Sequence, residues 1–219
     1  MVDQRTALAL DEHTSFVLPS LLEFVKRPPK KIVLDLGPAL GENIRRMEGC
    51  KLYISNFFES LTEGGSAAVS GKGFAASCAR LLQFPDDVRF DLVLAWDLFN
   101  YLGLAEVQVL AQHLVALSRP GTRIMALVSI QKKIPERPFR FVIRDQSTLR
   151  YETLSPGQRD CPRHSEPDVL KRMAGFKVER GMLLRNGMRE YSFVRDEASA
   201  ADSDADRQPI VSTPPPRYT

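Results

Sequence analysis

The chain has 219 residues, which is enough for one medium-sized domain with a buried core and too many for a small cross-linked scaffold. Apolar residues make up 43% of the sequence and charged residues 26%, a composition typical of soluble globular proteins and not of disordered or membrane-embedded chains. The 30 basic and 27 acidic residues leave a net charge of only +3, which argues against a nucleic-acid-binding protein.

The N-terminal region carries acidic residues and has no long apolar run, so we do not expect a secretory signal there. Nowhere does the sequence contain the roughly 20 consecutive apolar residues of a membrane-spanning helix. Its cysteines, Cys50, Cys78 and Cys161, are far apart and form no C-x-x-C pair, which argues against a disulfide framework and against a zinc site. These features predict a cytoplasmic protein that holds no metal.

Short β-rich runs alternate with helical segments, which predicts an α/β fold built on a mostly parallel sheet. The first helix is expected over about residues 14–27, because Pro28 and Pro29 follow it and proline lacks the amide that a helix interior needs. Apolar runs that begin or end near Gly or Pro predict four strands, over residues 31–37, 50–55, 90–96 and 122–130.

The second half of the chain adds helices and an antiparallel hairpin. Apolar residues recur at helical spacing over residues 104–117. Two further β-rich runs, over residues 176–184 and 189–195, flank the turn signal Asn186-Gly187 and predict a hairpin at the edge of the sheet. Residues 197–219 are rich in Ala, Asp and Pro, which predicts a disordered tail after a single domain over residues 1–196.

The loop after the first predicted strand has the composition of a ligand-binding turn. In "LDLGPALGENI" the strand runs into a helix through Gly37 and Gly41, and such a turn lets a ligand approach the backbone. The amide groups at the start of the helix then face the ligand. Many α/β turns contain two glycines for steric reasons alone, so this loop is informative only together with its context.

The order of motifs resembles that of the class I S-adenosylmethionine-dependent methyltransferases. "VLDLGPALG" is similar to the glycine-rich loop of that family, "FDLVLAWDLFNYL" to its fourth-strand motif, and "LSRPGTRIMAL" to its turn into the fifth strand. The C-terminal hairpin resembles the sixth and seventh strands of the family. The resemblance covers residues 16–195 and implies a Rossmann-like fold that binds S-adenosylmethionine at the carboxyl ends of the first, second and fourth strands.

Applied residue by residue, the resemblance implies a cofactor site made by three loops. The glycine-rich loop would line the methionine end, the residues after the second strand would face the ribose, and those after the fourth strand would lie beside the sulfonium. The implied cofactor-binding residues are Asp35, Gly37, Pro38, Ala39, Gly41, Asn56, Phe57, Ala95, Trp96 and Asp97. Each also has an interpretation without a ligand: Asp35 as a turn cap, Phe57 as a core residue, and Trp96 as a packing residue.

Three departures from the family pattern concern this site. Ala39 takes the place of the middle glycine, and its methyl group narrows the loop. Asn56 replaces the expected ribose-binding carboxylate, so that one charge-assisted hydrogen bond becomes a neutral one. No segment reads as the third strand, whose adenine-binding acid would by position fall near Cys78 or Arg80.

A basic connection over residues 131–166 is the expected substrate-facing element. Its arginines would suit a phosphate or carboxylate substrate, although a solvated edge strand is the commoner reason for such a pattern. The candidate substrate-facing residues are Tyr101, Arg140, Arg144 and His164. No catalytic residue is assigned, because methyl transfer depends mainly on positioning and needs a base only when the nucleophile must lose a proton.

Two functions are consistent with the sequence. The first is an S-adenosylmethionine-dependent methyltransferase acting on a small-molecule or protein acceptor. The second is a catalytically inactive, methyltransferase-like binding or scaffolding protein, for which the altered cofactor loop is the reason. Binding of S-adenosylmethionine or S-adenosylhomocysteine distinguishes the two hypotheses. The sequence does not indicate an oligomeric state.

Overall fold

The computed structural model describes residues 10–63, 71–153 and 155–196. The strands are β1 (Leu10–Thr14), β2 (Ile32–Asp35), β3 (Lys51–Ile54), β4 (Phe90–Trp96), β5 (Ser118–Ser129), β6 (Lys133–Pro135), β7 (Arg140–Ile143), β8 (Thr148–Glu152), β9 (Gln158–Asp160), β10 (Phe176–Leu183) and β11 (Met188–Arg195). The helices are α1 (Leu18–Lys26), α2 (Gly41–Arg46), α3 (Phe57–Glu63), α4 (Gly71–Leu81), α5 (Leu104–Ala116) and α6 (Glu166–Arg172), with a short 3-10 helix at Leu98–Tyr101.

Six strands form the central sheet, in the order β10-β11-β5-β4-β2-β3. The four strands from β5 to β3 pair in parallel, and β11 pairs antiparallel with both β5 and β10. Within the described ranges no strand pairs with the outer edge of β3, which agrees with the missing third strand expected from the sequence. The predicted α/β sheet with a C-terminal antiparallel hairpin is therefore confirmed.

Burial on both faces explains why the middle strands are continuous apolar runs. All seven residues of β4 are buried, as expected for a parallel strand covered on two sides. Helices α3 to α6 cover one face and bury a core around Phe57, Phe74 and Phe99. On the other face α1 packs together with a second, smaller sheet.

The smaller sheet has the strand order β1-β8-β7 and is antiparallel throughout. Phe141 of β7 and Leu149 and Tyr151 of β8 join the core on the α1 side. In the sequence, Phe139, Phe141 and Ile143 alternate with Arg140, Val142 and Arg144, a pattern that predicts a strand or lid, and β7 is that strand. Strand β7 continues a segment that crosses the carboxyl edge of the central sheet.

Two predicted boundaries were wrong at the level of a few residues. The first helix begins at Leu18 rather than near residue 14, because residues 10–14 form β1 against β8. Strand β5 begins at Ser118, so that Pro120-Gly121 lies inside the strand instead of before it.

The predicted tail over residues 197–219 lies outside the described residues. No described helix combines the length and hydropathy needed to cross a membrane.

A buried carboxylate fixes the chain between β1 and α1. Glu190 of β11 is fully buried and accepts hydrogen bonds from the Ser15 hydroxyl and from the Phe16 and Val17 amides. Burial raises the pKa of Glu190, and these donors act in the opposite direction. The carboxylate thus satisfies amide groups at the start of α1 that have no partner within the helix.

We expect Glu190→Ala to lower the free energy of unfolding by about 3 kcal/mol, because it removes the acceptor for three donors, two of them buried. Urea unfolding followed by circular dichroism measures this loss. The matched control is Glu48→Ala at an exposed position after α2, which should change the stability by less than about 0.5 kcal/mol. Equal effects of the two substitutions would contradict the anchoring role of Glu190.

Candidate cofactor site

The loop after β2 is built around the carboxylate of Asp35. Its Oδ1 atom accepts the Gly37 amide at 2.8 Å and the Trp96 indole Nε1 at 2.7 Å. Asp35 is buried, and burial raises its pKa to about 6 although both hydrogen bonds oppose the rise. Gly37 lies in the loop after β2 and Trp96 is the last residue of β4, so Asp35 holds the ends of β2 and β4 together.

Trp96 covers the first glycine of the loop. A Cβ atom on Gly37 would lie 2.9 Å from Trp96 Cδ1 and Nε1 and 3.1 Å from Asp35 Oδ1. Trp96 itself has a φ of 49°, and its indole stacks on Phe141 with the ring centroids 5.5 Å apart. The absence of a side chain at position 37 is therefore what lets the indole pack against the loop.

The loops after β2 and β3 are hydrogen-bonded to each other. The Asn56 amide donates to the Gly37 carbonyl at 3.1 Å, and the Phe57 amide donates to the Leu36 carbonyl at 2.9 Å. Asn56 adopts a φ of 44°, a conformation that asparagine tolerates better than most residues. Its side-chain amide is partly buried, and within the described residues we find no hydrogen bond to it.

Asp97, directly after β4, is the most deeply buried acid at this edge. Its Oδ2 accepts the Phe139 amide at 3.1 Å, and its Oδ1 has no hydrogen-bond partner among the described residues. Burial raises the pKa of Asp97 to about 7, against the effect of the Phe139 amide. A carboxyl with this pKa changes its protonation state close to neutral pH.

A covering segment, residues 135–143, crosses the carboxyl edge of the sheet. Tyr101 donates its hydroxyl to the Arg137 carbonyl at 2.8 Å and to the Pro135 carbonyl at 3.2 Å. Arg137 Nη1 lies 3.1 Å from Glu59 Oε2 on α3. Asn43 of α2 exchanges two hydrogen bonds with β7, at Phe141 and Ile143. These contacts attach the covering segment to three different parts of the central fold.

A cavity of about 260 Å³ lies between the covering segment and the loops after β2, β3 and β4. Its volume is slightly below the range of 300 to 1,000 Å³ that is usual for ligand pockets, as expected of a pocket with a partly closed cover. The lining consists of Leu36, Gly37, Pro38, Asn56, Phe58, Glu59, Ala95, Trp96, Asp97, Leu98, Arg137, Pro138, Phe139 and Arg140.

Six of the ten implied cofactor residues line this cavity: Gly37, Pro38, Asn56, Ala95, Trp96 and Asp97. Asp35 lies beneath the loop and acts on it through Gly37 and Trp96. Phe57 is fully buried in the core beside Phe74, which is the ligand-free interpretation of that residue. Ala39 and Gly41, at the start of α2, are not among the lining residues.

The four substrate-facing candidates lie in four different places. Arg140 lines the cavity, whereas Tyr101 is buried and binds the covering segment from below. Arg144 lies away from the cavity and pairs with Glu12 and Glu42. His164 is buried at a distance from the cavity, with Nε2 at 2.7 Å from the Leu102 carbonyl.

Cys78 and Arg80, the positions that fell near an adenine-binding acid, do not line the cavity either. Cys78 is fully buried in the core, where burial raises the pKa of its thiol to about 12, and Arg80 is exposed on α4. Sequence reasoning missed several lining residues, among them Phe58, Glu59 and Leu98. Of these residues, Glu59 could have been suggested by the sequence. It is an acidic residue only three positions after Asn56, in the first turn of α3.

Comparison with known proteins gives relationships at low identity. Neither a family model nor a curated protein sequence matches the chain. A 1,6-didemethyltoxoflavin-N1-methyltransferase from Burkholderia thailandensis is 15% identical, over 83% of this chain and 78% of its own, with a TM-score of 0.46. The N-methyltransferase NodS from Bradyrhizobium japonicum is 13% identical, over 82% and 94%, with a TM-score of 0.45.

A third structure, magnesium protoporphyrin IX methyltransferase from Synechocystis with bound S-adenosylmethionine, is 15% identical over 82% and 77%, with a TM-score of 0.42. In the present chain, the parallel strands run in the order β5-β4-β2-β3 and the antiparallel β11 lies between β5 and β10. The chain has a Rossmann-like α/β fold with a C-terminal antiparallel hairpin. In this fold the cavity lies outside the carboxyl ends of the strands, where open α/β sheets bind ligands.

Within the described part of the chain, no group of three or more His, Cys, Asp or Glu side chains is placed to hold a metal ion. The polar groups of the cavity are instead two carboxylates, two guanidinium groups and one amide, contributed by Asp97, Glu59, Arg137, Arg140 and Asn56. The site therefore offers hydrogen bonds and charge to an organic ligand.

Substituting Tyr101 tests the attachment of the covering segment. We expect Tyr101→Phe to lower the free energy of unfolding by about 1 to 2 kcal/mol, because two carbonyl groups lose their donor. Amide hydrogen exchange should also become faster in residues 135–143, but not in β4. The control Thr62→Ala removes an exposed hydroxyl bond on α3 and should leave both measurements unchanged. Unchanged exchange in Tyr101→Phe would contradict the attachment.

Proposed function

We propose that the chain is an S-adenosylmethionine-dependent methyltransferase that acts on a small-molecule acceptor. The observation that supports this most strongly is the convergence of six implied cofactor residues, from three separate loops, on one cavity. This cavity lies at the ligand-binding edge of a methyltransferase fold.

The residues present suit the nucleoside part of the cofactor. The Asn56 side-chain amide lies in the lining and has no partner within the described residues, so both its oxygen and its nitrogen are free to bind ribose hydroxyls. Phe58 and Leu98 supply apolar surface in the same lining. When bound, S-adenosylmethionine supplies a methyl group on a positively charged sulfur.

The other part of the lining suits a nucleophile. S-adenosylmethionine would supply the methyl carbon to the lone pair of the acceptor, and S-adenosylhomocysteine would be the leaving group. An amine or hydroxyl acceptor loses one proton in this reaction. Asp97 Oδ1 is unpartnered within the described residues, and the pKa of this carboxyl is about 7, so it takes that proton near neutral pH.

The covering segment favours a small acceptor over a protein side chain. It crosses the cavity and is held by Tyr101 on one side and by the Arg137–Glu59 ion pair on the other. A segment held across the cavity in this way restricts the access of a large acceptor such as a folded protein.

One observation favours the second function, a methyltransferase-like protein that binds without catalysis. The Asp35 carboxylate already accepts the Trp96 indole N–H, and the indole packs on Gly37, at the loop that the family resemblance assigns to the methionine end of the cofactor. In that case the chain would bind a ligand other than S-adenosylmethionine in the same cavity.

Calorimetric titration of S-adenosylhomocysteine into the wild type and into Asn56→Asp tests the proposed function. Asn56→Asp replaces a neutral ribose contact with a charge-assisted one, so we expect a roughly fivefold gain in affinity. The control Glu63→Gln, exposed at the end of α3, should bind like the wild type. Absence of saturable binding to the wild type at millimolar ligand would contradict the methyltransferase and favour the second function.

A further inference from the structure

We infer that Asp97 and Arg140 together recognise an acceptor that carries both an amine and a carboxylate, as an amino acid does. This inference rests on the proposed function and adds the chemical class of the acceptor. It follows from two observations. Both side chains line the same cavity, and each has a buried polar atom without a hydrogen-bond partner among the described residues.

In this inference, Asp97 binds the amine of the acceptor. Its side chain is 1% exposed, its Oδ2 is held by the Phe139 amide, and its Oδ1 has no partner in the described part of the chain. A buried carboxylate oxygen without a donor is costly, and an N–H group of a ligand removes that cost. The other buried acid of the site, Asp35, already has two donors and needs none.

Arg140 binds the carboxylate of the acceptor. Its Nη1 lies 3.8 Å from Glu152 Oε2, whereas Arg150 approaches the same carboxylate more closely, at 3.2 Å. The Arg140 Nε atom is buried and has no hydrogen-bond partner among the residues described. The guanidinium group therefore keeps donors for a second carboxylate, which arginine binds with two parallel hydrogen bonds.

The covering segment brings the two groups to one cavity. The Phe139 amide that holds Asp97 belongs to the residue just before Arg140, and both Asp97 and Arg140 line the cavity. A compact zwitterion presents an amine to one of these groups and a carboxylate to the other. Phe58, Leu98 and Phe139 line the same cavity and favour an apolar side chain.

The test uses the full-length protein, saturated with S-adenosylhomocysteine, and follows the fluorescence of Trp96, which is the only tryptophan and lines the cavity. The probes are alanine, leucine and phenylalanine, each compared with the amine that lacks its carboxylate: ethylamine, isoamylamine and phenethylamine. At least one amino acid should bind about tenfold more tightly than its amine, because a charged hydrogen-bonded pair is lost in the amine.

Arg140→Gln should remove this preference without changing the affinity for S-adenosylhomocysteine, which is measured by calorimetry. Asp97→Asn should weaken amino acids and amines alike. Arg144→Gln, an exposed arginine of the same region that pairs with Glu12 and Glu42, is the matched control and should behave like the wild type.

Three outcomes would overturn the inference: no binding of any of the three amino acids, equal binding of amino acids and amines by the wild type, or a preference that survives Arg140→Gln. A loss of S-adenosylhomocysteine affinity in Arg140→Gln would also overturn it, because the arginine would then serve the cofactor. Failure of the wild type to bind S-adenosylhomocysteine would contradict the proposed function instead, and the calorimetric measurement shows this separately.

Discussion

Gly37→Ala is expected to abolish ligand binding in the cavity and to lower the free energy of unfolding by about 1 to 3 kcal/mol. The added Cβ would lie 2.9 Å from two atoms of the Trp96 indole, closer than real contacts allow. The indole has no free direction in which to move, because it stacks on Phe141 and donates to Asp35. Its displacement would break that hydrogen bond and change the shape of the pocket.

Gly41→Ala is the control for this substitution. A Cβ at Gly41 meets only the end of the flexible Arg45 side chain, at 3.7 Å, and the position lies at the start of α2, where alanine is a better helix former. We expect this variant to be at least as stable as the wild type and to bind ligand normally. If Gly37→Ala also unfolds and binds like the wild type, the Trp96 indole does not shape the site.

Asp97→Asn is expected to reduce the pH dependence of stability. Burial raises the pKa of Asp97 in the folded protein to about 7, above the value of 3.8 expected when the chain is unfolded. The folded state therefore binds more protons, and stability falls as the pH rises from about 4 to about 7, by up to about 4 kcal/mol for this one group. Asparagine does not titrate, so the variant loses this contribution.

Urea unfolding across that pH interval measures the difference between the two proteins. Relative to the wild type, Asp97→Asn should become more stable as the pH rises, while Asp35, whose pKa is raised to about 6, keeps a smaller trend of the same sign in both proteins. Asp86→Asn, at an exposed position, should leave the wild-type pH profile unchanged. Parallel profiles for the wild type and Asp97→Asn would show that Asp97 has an ordinary pKa.

The parts of the fold that the sequence predicted are those with local signals. Strand β4 was predictable because burial on two faces leaves a continuous apolar run, and the hairpin of β10 and β11 because Asn186-Gly187 marks its turn. Strand β1 was not predictable, because its charged residues pair with β8, about 140 positions later in the chain. A contact at such separation leaves no periodicity in a short segment.

The residues of the site were likewise predictable only where local sequence signals determine their position. Gly37, Asn56 and Asp97 follow predicted strands, and the geometry of parallel sheets brings the ends of those strands to one edge. The directions of side chains at this edge were not predictable. Trp96 turns onto Gly37 because its φ is positive and Phe141 stacks on it, and Phe57 points into the core because it opens α3.

The path of the covering segment explains the remaining differences between the predicted and the observed roles of the site residues. Tyr101 and Arg140 were both assigned to a substrate, but the Tyr101 hydroxyl binds carbonyl groups of the covering segment whereas Arg140 lines the cavity. Their roles depend on how residues 135–143 cross the sheet, and this path is set by contacts with Asn43 of α2, Glu59 of α3 and Asp97 after β4. No single stretch of sequence contains that information.

Titration of S-adenosylhomocysteine against the fluorescence of Trp96 shows whether the cavity binds the cofactor product, because the only tryptophan of the chain lines the cavity. We expect a saturable change with a micromolar dissociation constant, which Gly37→Ala removes and Gly41→Ala keeps. An emission spectrum that stays constant up to millimolar ligand, together with the absence of binding heat, would contradict a cofactor site in this cavity.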